Sequence, residues 1–233
     1  MNIVSEYVSD FVSLFFPNLC CACGKPLVKG EEVICTYCSY YLPKTGYHLQ
    51  RNNPLEKHFW GRVELERAAA CYFFQKGSRI QQLIHALKYR GKTEVGIAIG
   101  KIYGQDLLQS ADFSSVDLIV PVPLHQSKEL QRTYNQADLF SEGLSLSMNK
   151  PWNKQALKRV TATQTQTHKS RFERWQNVGT VFRVGDPGQL TGKHILITDD
   201  VVTTGSTLEA CAREILQLPQ TKVSLATIAC AVM

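Results

Sequence analysis

No apolar run in the 233-residue chain reaches the roughly 18 residues that a membrane-spanning helix needs, so no transmembrane segment is expected. No stretch is of low complexity and none repeats. With 44% hydrophobic and 20% charged residues the composition is that of a folded globular chain, which excludes disorder and fibres. The first 17 residues carry Ile3, Val4, Tyr7, Val8, Phe11, Val12 and Phe15 at helical spacing, but they have no basic leader and no small-residue cleavage site, and Glu6 and Asp10 interrupt them. A secretory signal is therefore not expected and the protein is placed in the cytoplasm. The stripe is expected to dock on the protein, because it lacks the flanking Lys or Arg of a membrane-surface helix. Two nucleotide motifs are also missing. No Gly-x-Gly-x-x-Gly follows a strand candidate, and Gly91-Lys92-Thr93 has Ala86 where a P-loop requires glycine.

Cysteine, by contrast, is abundant and uneven. Of the eight, Cys71, Cys211 and Cys230 sit among apolar neighbours and read as core thiols, whereas Cys20, Cys21, Cys23, Cys35 and Cys38 crowd together. Cys20-x-x-Cys23 and Cys35-x-x-Cys38, with eleven residues between, have the double-knuckle spacing of a four-thiolate Zn²⁺ site. Gly24 suits the reversal after the first knuckle, and Glu31 to Ile34 is expected as a short strand leading to the second. The alternative of disulfides conflicts with a reducing compartment. Cys21 is the surplus thiol, because Cys21-x-Cys23 makes a poorer knuckle. Four thiolates leave no open position, so the zinc is read as structural, and residues 1–60 are expected to need it to fold.

The net charge of +6 is local. Residues 1–60 hold five basic and five acidic side chains, whereas Lys150 to Trp175 holds seven basic residues against the single Glu173. The centre of that window, Thr161 to Ser170, is a Thr/Gln run without apolar periodicity and reads as a loop carrying positive charge on both flanks. Such a loop meets an anion, or it is a solvated basic face.

Asn52, Asn53 and Pro54 read as a linker, dividing an N-terminal unit (1–60) from a second unit (61–233). Strand candidates at Ala68–Phe74, Asp117–Val122, Val181–Val184, His194–Thr198 and Val223–Val232 alternate with amphipathic helices at Ile80–Leu87, Val95–Leu108, Gln136–Leu146 and Leu208–Leu218. That alternation predicts a doubly wound α/β fold with a mostly parallel sheet. In such a sheet ligands sit beyond the carboxyl ends of the strands. After Ile195–Thr198 come Asp199, Asp200, Val201, Val202, Thr203, Thr204, Gly205, Ser206 and Thr207, and then a helix. Hydroxyls around a glycine at a helix N-terminus make a phosphate seat, and two adjacent carboxylates can accept hydrogen bonds from vicinal hydroxyls. Together they suit a ribose 5-phosphate. The plainer reading, an N-cap beside a solvated acid, explains these residues singly but not as an ordered set.

The run Ile195–Thr207 resembles the PRPP-binding motif of type I phosphoribosyltransferases (PRPP, 5-phosphoribosyl diphosphate), with Thr198 where a hydrophobic residue is usual. The cysteine knuckles, Leu83–Gly91, Ile119–His125, Tyr134-Asn135-Gln136 and Thr163–Asn177 extend the resemblance to the ComF family, in which a zinc ribbon is joined to a phosphoribosyltransferase-like domain. Thr133, where glycine is usual, departs from its pattern. The resemblance implies a type I phosphoribosyltransferase-like parallel sheet behind a small four-cysteine zinc ribbon. It also implies that Asp199 and Asp200 contact ribose hydroxyls and that Thr203–Thr207 cradle the 5-phosphate. Pro121, Val122, Pro123, Leu124 and His125 would face the pyrophosphate, and a flexible loop with Gln164, His168, Arg171 and Arg174 would close over it. Mg²⁺ would accompany PRPP, bound through its phosphates.

Two functions follow from the resemblance: an accessory protein of natural competence that binds PRPP, single-stranded DNA and other competence proteins, or a phosphoribosyltransferase acting on a base or amine. Trp152, Phe172 and Trp175, interleaved with Lys and Arg, can stack bases or simply pack in the core.

Overall fold

The computed structural model describes residues 16–124, 134–160 and 181–231. In chain order its longer elements are α1 (Thr36–Tyr41), α2 (Pro54–Phe59), β1 (Arg67–Phe74), α3 (Arg79–Tyr89), α4 (Glu94–Leu107), α5 (Ala111–Ser114), β2 (Leu118–Pro121), α6 (Gln136–Met148), β3 (Leu157–Val160), β4 (Val181–Val184), β5 (His194–Val202), α7 (Ser206–Ile215) and β6 (Lys222–Ala231). Strands β1, β6, β5 and β2 form one parallel sheet in that order, as the alternation of strand and helix predicts. The strand expected at Val181–Val184 forms, but it pairs antiparallel with β3 outside the main sheet.

Both faces of the sheet are covered, which is why its strands read as continuous apolar runs. Within β5, Leu196 joins one hydrophobic cluster with residues of α3, α4 and α6, whereas Ile195 and Ile197 join a second with residues of α2, α7 and β3. Helices α4 and α6 lie so close that a Cβ at Gly100 would stand 2.4 Å from the Phe140 carbonyl oxygen, and one at Gly143 2.3 Å from that of Ile97. Glycine at these positions lets the two backbones meet.

Thr198, unusual for a core strand, is fully buried, and its Oγ1 lies 2.6 Å from Oγ of Ser141, also fully buried. The pair satisfies itself across the β5–α6 contact. Ser141→Ala alone is expected to cost about 1–3 kcal/mol by orphaning the threonine hydroxyl, and adding Thr198→Val should restore most of it. Urea denaturation of the three variants measures both steps.

The Asn52-Asn53-Pro54 segment, expected as a linker, is the capped start of α2. Asn53 is buried; its Oδ1 accepts from the Glu56 N–H at 3.0 Å, and its amide donates to the carbonyls of Tyr47, Gln50 and Ala68. Leu55 and Phe59 of α2 pack in the second cluster. The strand expected at Glu31–Ile34 is replaced by bends leading into α1. Glu31 supplies the reason: its carboxylate accepts from the backbone N–H groups of Val28 (3.0 Å) and Thr36 (2.6 Å), closing the loop without a ladder.

Candidate functional site

A cleft of about 290 Å³ opens at the carboxyl edge of the sheet, at the ends of β2 and β5. Its walls include Asp199, Asp200 and Thr207, the segment Val122–Leu124, Asn135, and two cationic side chains, Lys88 and Arg159. Strand β5 does not stop at Thr198 as expected but continues to Val202, with Asp199 opposite Thr227 and Val201 opposite Ala229 of β6. The two acids are thus part of the strand, and both line the cleft. Asp200 pairs with Lys88 of α3, while the Arg159 guanidinium acts on Asp199. Burial, reinforced by the neighbouring Asp200 carboxylate, pushes the Asp199 carboxyl up to about 7, against the opposing pull of the Asp200 N–H, Lys88 and Arg159. Burial likewise lowers the Arg159 guanidinium, which lies 5.4 Å above the Phe182 ring.

Val201 and Val202 pack against the first and second clusters respectively. Thr203, Thr204 and Ser206 are exposed in the loop that follows, and Gly205 is buried. Helix α7 begins at Ser206 without a side-chain cap, which leaves first-turn N–H groups facing the loop. The Thr204 carbonyl is held from outside by His58 Nε2 at 2.9 Å and Arg62 Nη1 at 3.0 Å, and Arg62 also pairs with Glu209 of α7. Gly205 has φ +72° and a Cβ there would stand 2.8 Å from the Phe59 ring. Gly205→Ala is therefore expected to destabilise by about 1–3 kcal/mol and to shift the loop, read by thermal melting.

Pro121 ends β2 and is buried beside Thr198; Val122 donates its N–H to the Thr198 carbonyl at 2.9 Å. Asn135 caps α6 and donates through Nδ2 to the Val122 carbonyl at 3.0 Å, tying the start of α6 to the cleft wall. His125, Gln164, His168, Arg171 and Arg174, with Phe172 and Trp175, lie outside the described residues. Trp152 packs against the first cluster and bridges Ile119, the core-packing alternative of its two readings. Residue reasoning passed over Lys88, Asn135 and Arg159 as site groups. Lys88 and Asn135 stand in segments that carry the family resemblance and Arg159 in the basic window, but amphipathic periodicity shows only which helix face is apolar, not which polar residue meets a strand end.

At the N-terminal end, the sulfurs of Cys20, Cys23, Cys35 and Cys38 all lie within 4.8 Å of one another, and those of Cys23 and Cys35 are 3.8 Å apart. Tetrahedral Zn–S bonds of about 2.3 Å require sulfurs about 3.8 Å apart. Backbone N–H groups point at the sulfurs, Cys35 to Cys20 at 3.3 Å and Cys38 to Cys35 at 3.4 Å, as thiolates require. All four thiols are free of disulfides, so the set is compatible with a structural zinc. Cys21 stands outside it, and burial raises its thiol pKa.

No protein-family model matches the chain. Among solved structures it is similar to an adenine phosphoribosyltransferase, at TM-score 0.40 and 15% identity over 63% of this chain and 74% of that one. Among curated proteins it is 33% identical over 220 residues to the DNA utilization protein YhgH of Escherichia coli, covering 88% of this chain and 93% of the relative. Competence protein F of Haemophilus influenzae is 36% identical over 103 residues (44% and 45% covered), and competence protein ComFC of Bacillus subtilis 25% identical over 205 (86% and 72%). A match at that identity, running nearly end to end in both proteins, makes the chain a member of the ComF family.

Proposed function

We propose that the protein is a PRPP-binding accessory factor of DNA uptake and utilisation, built from a zinc-ribbon unit (1–60) and a phosphoribosyltransferase-like unit (61–233). The observation that carries the reading is the cleft in which Asp199, Asp200 and the uncapped N-terminus of α7 meet two cations. Acidic oxygens accept from a ribose diol, N–H groups and hydroxyls of Thr203–Thr207 donate to a 5-phosphate, and Lys88, Arg159 and the segment Val122–Leu124 face the pyrophosphate side. Gln164, His168, Arg171 and Arg174 lie outside the described residues; as a flexible loop their segment would add positive charge to that side. Mg²⁺ enters with the ligand, held mainly by its phosphates. The names of the relatives support a role with DNA, and single-stranded DNA is the polyanion proposed to meet the basic window from Lys150 to Trp175.

The second reading is turnover. A nucleophile would displace pyrophosphate from the anomeric carbon, the protein supplying position and charge; the paired acids favour it, since DNA binding alone does not need them. Isothermal titration with PRPP and Mg²⁺ should show saturable binding, and absence of heat and of competition by ribose 5-phosphate would refute the site. Pyrophosphate release in the presence of bases, amines and DNA separates the two readings. Filter binding of single-stranded DNA should weaken steeply with salt.

A further inference from the structure

Lys88 is the cleft residue whose present partner differs from the one its chemistry favours once a ligand arrives. It sits at the C-terminal end of α3 with its side chain largely buried, and its ammonium is paired with Oδ2 of Asp200. That end of α3 is pinned: the Tyr134 hydroxyl, two residues before the start of α6, donates to the Leu87 carbonyl at 2.5 Å. Asp200 in turn accepts the N–H of Val201 through Oδ1 at 2.5 Å, so one of its oxygens is committed to the backbone and the other to Lys88. The lining residues carry two cations, Lys88 and Arg159, against two acids, Asp199 and Asp200. Without ligand, the cation and the carboxylate neutralise each other across the cleft.

Resting on the PRPP reading above, we propose that Lys88 is the residue that binds the diphosphate group of the ligand, and that Asp200 holds it in place until the ligand exchanges the pair. A diphosphate carries more charge than a carboxylate and offers oxygens on several sides, so it draws the ammonium away. Asp200 Oδ2 is released at the same moment, and a ribose hydroxyl can donate to it. No covalent step is involved: one ion pair is traded for another ion pair and a hydrogen bond. The exchange makes the two halves of the ligand cooperate, because pyrophosphate alone must break the pair and ribose 5-phosphate alone finds Asp200 occupied.

Titration of the full-length protein with inorganic pyrophosphate and, separately, with ribose 5-phosphate at fixed Mg²⁺ tests this. Lys88→Met should weaken pyrophosphate about 10-fold or more while leaving ribose 5-phosphate unchanged or tighter, and Lys88→Arg should keep most of the pyrophosphate affinity. Asp200→Asn should act in opposite directions, tightening pyrophosphate roughly fivefold and weakening ribose 5-phosphate. Wild-type pyrophosphate affinity in Lys88→Met, or equal losses for both ligands, would overturn the assignment and leave the ion pair structural, with the PRPP reading intact. If the wild-type protein binds neither ligand nor PRPP, both readings fall together.

Discussion

Asp199→Asn is expected to weaken PRPP binding by about 10- to 100-fold while making the protein more stable at pH 8, a pair of effects in opposite directions. The binding loss follows from replacing a charged acceptor of ribose hydroxyls with a neutral amide that offers a donor on one side. The stability gain follows from linkage. The Asp199 carboxyl is raised from 3.8 to about 7, chiefly by burial and then by Asp200. An acid raised on folding contributes stability that is fully present below 3.8 and is lost as pH rises through about 7. At pH 8 the fold therefore carries a charge it disfavours. The full difference corresponds to about 4 kcal/mol, which solvent in the open cleft reduces to roughly 1–2 kcal/mol. Thermal melts between pH 5 and 8 should show wild-type stability falling across the window relative to the variant. Identical pH profiles would mean that Asp199 is ionised without strain, and unchanged PRPP affinity would remove it from the site.

The other large effect is expected at the cysteines. Metal analysis should return one zinc per chain, and Cys38→Ser should lose it together with much of the folded structure. Structural zinc contributes apparent binding free energies of about 10–16 kcal/mol in small domains, comparable with the whole stability of an ordinary one. The damage should spread, because Cys20, Cys35 and Cys38 belong to the same hydrophobic cluster as Ile80, Leu83, Tyr103 and Ile228. A chelator should reproduce the loss, seen as a lower melting temperature by circular dichroism. Cys21→Ser should keep the zinc, since its sulfur lies outside the cluster of four. Retention of zinc after Cys20→Ser with loss after Cys21→Ser would reverse that assignment.

Such expectations could be written from the sequence because each depends on spacing that folding preserves. Two residues between cysteines bring their sulfurs to one ion whatever surrounds them, and the apolar positions of α3, Ile80, Leu83, Ile84 and Leu87, declare a helix with one buried face. The parallel sheet was legible for the same reason, through buried runs alternating with helical periodicity. Local pattern misled where a side chain took over a backbone role. Glu31 closes the loop that reads as a strand, and Asn53 roots the segment that reads as a linker.

What the sequence by itself determined is therefore the set of instruments: four cysteines at knuckle spacing, acids at the end of a buried strand, a hydroxyl-rich turn before a helix, and a window of positive charge. Their use depended on contacts between residues far apart in the chain. Only the tertiary structure paired Lys88 with Asp200, brought Arg159 beside Asp199, set His58 and Arg62 on the Thr204 carbonyl and joined Thr198 to Ser141. It also carried β5 past Thr198, so that the two acids belong to the strand instead of to a loop. The physical reason is that a residue's charge and shape are local properties, whereas its partner, and hence its ionisation and burial, is chosen by the packing of elements that sequence separation does not order.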